Sequence, residues 1–497
     1  MAFGLLLITD QDKLGNAMTI PLISSIRLML LDRILMRKPE ACEKMAQLDV
    51  VCADMGTLTS KAYTCTHFWS KKTTEIFSQS SGGVSNLRNF VKESQINFLK
   101  KVVCCTMSAD IVAECSNPAE IGFAEYLSSC GVHFTPVKYS CRILGSMEFN
   151  STRKRNSVLI EEEGGENLMV VRGASELLLD SCDKLLDLST GEVELINEKN
   201  KEMAIEAIAN FGQKGLRTIG FAYSHPERYD TDNVDSHGLV EAEKSGLTFV
   251  GFFGLRQLPS THVCNSIRTL NDAGIGVKMV TGGNQTSAKA TAEDCGIIPH
   301  EDEPSSEYQC MSGAEFSEFV GGFTVQRRRP RSTKSIYTLG NPENFRKCYR
   351  DLKVLYRARP DDKFLLIIGL KELGYCVATV GDGTADAPAL SHADVGFCFG
   401  QSGTEIAKQA SDILLIDDSF SGVVNSAKWG RNFYDSVKKI IQSQMTVIQV
   451  VVLLFIVSAL GTSDYPFTIT QIIWVINNNS SHSHSICFML FWILLIF

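Results

Sequence analysis

Residues 48–54 (LDVVCAD) form a short apolar run that ends in a carboxylate and leads into the turn-forming Gly56-Thr57-Leu58-Thr59. So short and so apolar a run suits a strand buried on both faces, and a parallel sheet covered by helices provides that setting. Runs of the same kind recur at residues 277–282, followed by helical periodicity through Ala290, at 375–381 and at 394–398. Together they predict a doubly wound parallel α/β sheet, whose ligands sit at the carboxyl ends of its strands. Between the first run and the second the pattern changes. Hairpin-like strands at 147–149, 157–161 and 168–172 mix with helices at 175–187 and 199–212. This predicts a separate α+β domain inserted after the first strand of the sheet.

Hydrophobic residues make up 44% of the chain and charged residues 21%, with a net charge of -8. That balance excludes disorder and a generally basic surface for nucleic acid. Sixteen cysteines are scattered without metal-ligand spacing and read as reduced thiols of the cytosol. Residues 445–461 (MTVIQVVVLLFIVSALG) carry no charge, and 467–476 and 486–497 are apolar again. Membrane residence is the expectation there, with His482 and His484 flanking a membrane end. The first thirty-one residues form a second apolar region, broken by Asp10, Asp12 and Lys13. Arg27, Arg33, Arg37 and Lys38 then mark an exit into water on the cytoplasmic side. Residues 38–430 are therefore expected to be a cytoplasmic insert between membrane helices. The basic stretch 326–334 (QRRRPRSTK) reads as a solvated connection.

Three motifs carry the chemistry. A carboxylate at the end of a buried parallel strand, followed by a Gly-Thr turn offering backbone N–H groups, presents Asp54 as a phosphoryl acceptor. Residues 380–390 (VGDGTADAPAL) place Asp382 and Asp386 four apart in a Gly-rich loop, suited to a hard cation. Between them, residues 359–363 (RPDDK) offer Lys363 to neutralise a phosphoryl group. In this order, and flanked by apolar segments, the three resemble the P-type cation-transporting ATPases, and within them the plasma-membrane-type, calmodulin-regulated calcium pumps. Further stretches carry the resemblance: Asn117-Pro118-Ala119-Glu120, residues 148–157 (EFNSTRKRNS), Arg172-Gly173-Ala174-Ser175-Glu176 and Gly215-Leu216-Arg217-Thr218.

The resemblance implies a haloacid-dehalogenase-like phosphorylation domain in two segments, 38–61 and 258–430, and a nucleotide-binding domain at 62–257. Membrane parts would lie at 1–37, like the family's fourth helix, and at 431–497, like its fifth and sixth. It implies ATP and Mg2+ as cofactors, Ca2+ as cargo and membrane lipid as surroundings. Asp54, Thr57 and Lys363 would form the catalytic set, and Asp54, Asp382 and Asp386 would hold the metal. Glu120, Phe149, Arg153, Arg172 and Arg217, with Thr281 and Gly282, would contact ATP, and Asp12 would stand on the ion path.

Departures from the family pattern cluster where chemistry happens. The family's DKTGTLT is one residue short here, Asp54-Met55-Gly56-Thr57-Leu58-Thr59, and an ungapped alignment puts Ala53 at the nucleophile. Its TGD is Thr281-Gly282-Gly283, its DPxR hinge is Leu258-Pro259-Ser260-Thr261, and the Asn of its GDGTND is Ala385. Its PEGLP, an unwound stretch of the fourth helix, falls on residues 11–15 (QDKLG). Counterparts of the first three membrane helices, the actuator domain and the last four helices are not found. The expectation is a protein descended from ATP-driven calcium pumps with impaired catalysis. The alternatives are a membrane-tethered nucleotide-binding pseudoenzyme or an incomplete gene product. A soluble phosphatase of the same fold is disfavoured by the large insert and the apolar ends.

Overall fold

The computed structural model describes residues 11–60, 62–71, 73–76, 93–107, 117–129, 141–150, 153–161, 166–226, 240–299, 308–327 and 335–461. Val50–Asp54 lies inside an eight-stranded sheet, hydrogen-bonded in parallel to Gly276–Val280 on one side and Val377–Gly381 on the other. The full order is Ile34–Met36, Ile413–Leu415, Val395–Phe399, Val377–Gly381, Val50–Asp54, Gly276–Val280, Val354–Tyr356, Cys310–Ser312. Only the Ile34–Met36 edge pairs antiparallel. Alternation along Val50–Asp54 explains its unbroken apolarity: Val51 and Ala53 enter one core, and Val50 and Cys52 enter another on the opposite face. Helices Thr261–Asp272 and Gln285–Asp294 cover the first face, and Gly313–Val320, Pro342–Cys348 and Pro360–Glu372 the second. Lys278 is tolerated inside this sheet because its Nζ donates to the carbonyls of Tyr349 at 2.6 Å and Leu352 at 2.5 Å.

The segment after Asp54 leaves for a second, nine-stranded sheet. Its main path runs Thr73–Ile76, Thr64–Ser70, Leu247–Arg256, Arg217–Ser224, Asn167–Ala174, Arg155–Glu161, Arg142–Met147. Neighbours on this path are antiparallel, while Cys182–Leu186 adds in parallel to Leu247–Arg256. One face buries Val158, Ile160, Val170, Phe221 and Phe253 against helices Glu93–Cys105 and Pro118–Ser129. The other buries Leu159, Val171, Ala222 and Phe252 against Ser175–Asp180 and Glu198–Gln213. Where the chain leaves and returns, Thr59 and Pro259 form an antiparallel bridge, and Ser60 N donates to Leu258 O at 3.0 Å.

Two elements differ from the sequence reading. The helix expected over 175–187 stops at Asp180, and Cys182–Leu186 is a strand. Ser181 caps the helix, and edge pairing with Leu247–Arg256 then captures the apolar Leu185. The strand expected at 147–149 is Arg142–Met147, which leaves Phe149 beyond its end.

Ser421–Gly461 is one helix of 41 residues, about 60 Å long at 1.5 Å per residue. Its first turns dock on the parallel sheet's surroundings. A Cβ at Gly430 would stand 2.6 Å from Met45 Cβ and 2.8 Å from Ala46 N, so the helix approaches the Ala41–Ala46 helix at backbone range. Trp429 Nε1 donates to Asp32 Oδ2 at 2.7 Å, and Arg431 Nη2 to Ala273 O at 3.1 Å. Gln11–Leu31 is a continuous helix with Pro21 inside it, so no unwound stretch stands at residues 11–15. Among the described residues no helix is long and apolar enough to cross a membrane. Residues 1–10 and 462–497, where further membrane segments are expected, lie outside the described residues.

Candidate phosphate and nucleotide sites

At the carboxyl end of the parallel sheet, three side chains converge. Lys363 Nζ donates to Asp54 Oδ1 and to Asp386 Oδ1, each at 2.6 Å. Asp54 ends its strand and starts the short turn Met55–Leu58, accepting from Gly56 N at 2.9 Å on Oδ2. Thr57 is buried and donates through Oγ1 to the Asp54 carbonyl at 2.7 Å, which fixes the turn rather than reaching into the site. Lys363 stands in the first turn of Pro360–Glu372. That helix starts there because Pro360 suits its first position and Asp362 Oδ2 accepts from Arg359 N at 2.9 Å. Burial alone pulls the Lys363 ammonium's pKa down, but the Asp54 and Asp386 carboxylates outweigh it and leave it above its ordinary value. Asp386 is buried and accepts from Gly383 N at 3.2 Å, and a Cβ at Gly381 would collide with its Cβ at 2.7 Å.

Ala53, the alternative nucleophile position, is fully buried in the apolar core, whereas the Asp54 carboxylate meets Lys363. Thr281 follows Val280, the residue in register with Asp54, so Thr281 and Gly282 stand beside this cluster. Thr281 Oγ1 accepts from Gly283 N at 3.0 Å and lies 3.9 Å from Met55 Sδ. A Cβ at Gly283 would sit 3.6 Å from Met55 Cε. Met55 therefore packs beside Thr281 and Gly283 at ordinary contact distance.

The carboxylates suit Mg2+. That ion is commonly held by one or two carboxylates together with phosphate and water, and Asp54 and Asp386 offer convergent hard oxygens, with Asp382 in the same loop. Among the described residues no three His, Cys, Asp or Glu side chains form an all-protein metal cage. Asp54 and Asp386, with Asp382 in the same loop, could hold such an ion, which would supply neutralisation of phosphate charge.

The second group lies on the inserted sheet. Arg172 Nη2 donates to Glu120 Oε1 at 2.7 Å, with side-chain exposures of 9% and 6%. A pair so deeply desolvated must be matched in charge, because either partner alone would be very costly. Asn156 is directly opposite Arg172 on the neighbouring strand. Its Nδ2 donates to Thr106 O at 2.8 Å. Arg217 Cζ stands 5.8 Å from the Tyr63 ring centroid, and Tyr63 N donates to Pro118 O at the start of the helix that carries Glu120. Phe149 is 53% exposed.

Arg153 does not join them. Its Nη2 donates to both carboxylate oxygens of the fully buried Glu243, at 2.7 and 2.9 Å, and its Nη1 to Glu148 O at 3.1 Å. Strand alternation explains the separation. Arg155 and Ser157 face the side opposite Asn156 and Val158, and Arg153 reaches toward Ser157 on that side. The sequence reading passed over Asn156 and Glu243. Asn156 was legible from parity with Val158 and Ile160, whereas Glu243 sits in the short helical turn Glu241–Glu243 with no periodicity to mark it. The Asp12 side chain lies outside the described residues.

A parallel sheet presenting an Asp–Lys–Asp cluster, interrupted after the strand that carries Asp54 by a second, mostly antiparallel sheet, fits the cytoplasmic part of P-type ATPases. Residues 97–260 match the family described as P-type ATPase, cytoplasmic domain N. Probable calcium-transporting ATPase 8, plasma membrane-type, of Oryza sativa subsp. japonica is 32% identical over 486 residues, which cover 95% of this chain and 44% of that protein. Plasma membrane calcium-transporting ATPase 3 of Homo sapiens is 34% identical over 484 residues, 95% of this chain and 38% of its own length. The protein of the same name from Rattus norvegicus is 33% identical, with 95% and 37% covered. The chain resembles the plasma-membrane-type calcium-transporting P-type ATPases and spans less than half the length of these relatives.

Proposed function

We propose that this chain binds ATP on its inserted sheet, as a relative of ATP-driven calcium pumps, and that it does not complete phosphoryl transfer to Asp54. The observation that carries the reading is the contrast between the two sites. Glu120, on the helix packed against the inserted sheet, is paired with Arg172 of that sheet, so little ordering would be needed on binding. Beside Asp54 the turn is one residue shorter than the family pattern, and Gly283, within ordinary contact distance of Met55, stands where that pattern has an Asp. Phosphoryl transfer depends on positioning and electrostatics more than on covalent chemistry, and an error of about 1 Å near the reacting atoms costs on the order of a hundredfold.

In this reading Arg172 and Arg217 supply positive charge toward the phosphates or base, Phe149 offers a ring for stacking, and Lys363 and Mg2+ on Asp54 and Asp386 receive the terminal phosphate. The apolar end of Ser421–Gly461 enters the bilayer with the two sheets on the cytoplasmic side, and Ca2+ is the cargo of the ancestral pump. Titration of ATP into the full chain with Mg2+ tests the first half of the proposal. Saturable heat at up to millimolar nucleotide is expected, and a flat titration would overturn it.

One observation favours a second reading, in which Asp54 is still phosphorylated. Lys363 bridges Asp54 and Asp386 at 2.6 Å, so the charge arrangement around the acceptor survives although its turn does not.

A further inference from the structure

Several buried polar atoms on the inserted sheet have no hydrogen-bond partner among the described residues, Ser224 Oγ and Arg256 Nε among them, and two belong to cross-strand neighbours. Arg172 Nη1 is one and Asn156 Oδ1 is the other. Their remaining groups are fixed: Arg172 Nη2 is held by Glu120 at 2.7 Å, and Asn156 Nδ2 by Thr106 O at 2.8 Å. The orientation of the amide follows from chemistry, because a carbonyl such as Thr106 O only accepts, so Nδ2 must face it and Oδ1 must face away. The protein thus carries an unused donor on Arg172 and an unused acceptor on its cross-strand neighbour Asn156, on a sheet face whose other side chains are apolar. Leaving either one buried and unpaired is costly, and native proteins seldom do so without a ligand or water to meet them.

We infer that Asn156, beside Arg172, is a base-reading residue that accepts a hydrogen bond from the exocyclic amine of the nucleotide, while Arg172 Nη1 donates to the adjacent ring nitrogen. An adenine ring presents this donor and acceptor pair on its Watson–Crick edge, with the 6-amino group next to N1. The inference rests on the proposed nucleotide reading and adds to it the group that selects the base. Arg172 alone would donate equally well to any ring nitrogen or carbonyl. Asn156 adds the requirement for a donor on the ligand, and a site built around such a bond rejects an analogue lacking it.

The test compares ATP with purine riboside 5′-triphosphate, which lacks only the 6-amino group, by titration into the full chain and into Asn156→Leu. The wild-type chain is expected to bind ATP about tenfold or more tightly than the analogue, and Asn156→Leu to bind the two alike. Equal affinity in the wild type, or discrimination that persists in Asn156→Leu, would overturn the inference, since the unpaired atoms would then be met by water. Binding of neither nucleotide by the wild type would overturn both this inference and the nucleotide reading beneath it. The wild-type comparison needs no variant to fold, and Asn156→Leu removes an unsatisfied buried group. A thermal melt checks that its sheet is intact.

Discussion

Arg172 and Arg153 are both buried arginines of the inserted sheet, each closed by a carboxylate, and they do different things. Glu120 holds Arg172 on the face that carries Asn156, whereas Glu243 holds Arg153 on the opposite face with both carboxylate oxygens. Removing Glu243 leaves a buried guanidinium without its charge partner, so Glu243→Ala should destabilise the chain by about 3–5 kcal/mol. ATP affinity at low temperature, where the variant is folded, should be unchanged. Urea denaturation together with nucleotide titration checks this, and weakened affinity in the folded variant would place Arg153 at the ligand after all. Phe149 gives the reverse signature. Its ring is half exposed, so Phe149→Ala should leave the melting temperature nearly unchanged and weaken ATP binding by about 1–3 kcal/mol, as loss of an aromatic stacking platform does. At this scale the sequence revealed which residues carry charge but not which carboxylate each would meet. Glu243 lies far along the chain from Arg153, and only the folded sheet brings them together.

Among the elements, the parallel strands were the most legible, because burial on both faces makes them continuously apolar and short. Val50–Asp54, Gly276–Val280, Val377–Gly381 and Val395–Phe399 all stand where such runs lie. The segment after Ser175 was less so. Six helical residues and then five strand residues share one apolar stretch, and the switch depends on pairing with Leu247–Arg256, a partner distant in sequence. Helix contacts were also invisible until the backbone was in place. Gly430 is one residue of a 41-residue helix, yet its missing side chain lets that helix rest on Met45 and Ala46. Gly430→Leu should force the helix away from the Ala41–Ala46 helix and cost about 1–3 kcal/mol, the usual cost of overpacking. Gly246→Leu serves as a poor control because its φ is +81°, whereas Gly212→Ala meets nothing within 4 Å and should be close to neutral. Equal thermal stability of Gly430→Leu and the parent chain would show that this contact does not hold the helix.

For the molecule as a whole, two candidate sites sit on two sheets joined by paired linkers at Thr59 and Pro259. The inserted sheet also leans on the parallel one: Ser287 Oγ donates to Gly215 O at 3.3 Å, and Arg256 forms an ion pair with Asp294. In the proposed reading, nucleotide held at Arg172 and phosphate received at Lys363 would need that junction to bring the sheets together. In the proposed function nucleotide binding survives and phosphoryl transfer does not. The most direct measurement is acid-stable labelling of the full chain from γ-labelled ATP with Mg2+ and Ca2+, with Asp54→Asn as the reference. No label above that of Asp54→Asn is expected. Calcium-dependent label that disappears in Asp54→Asn would contradict it and show that the shortened turn and Met55 leave Asp54 a working acceptor.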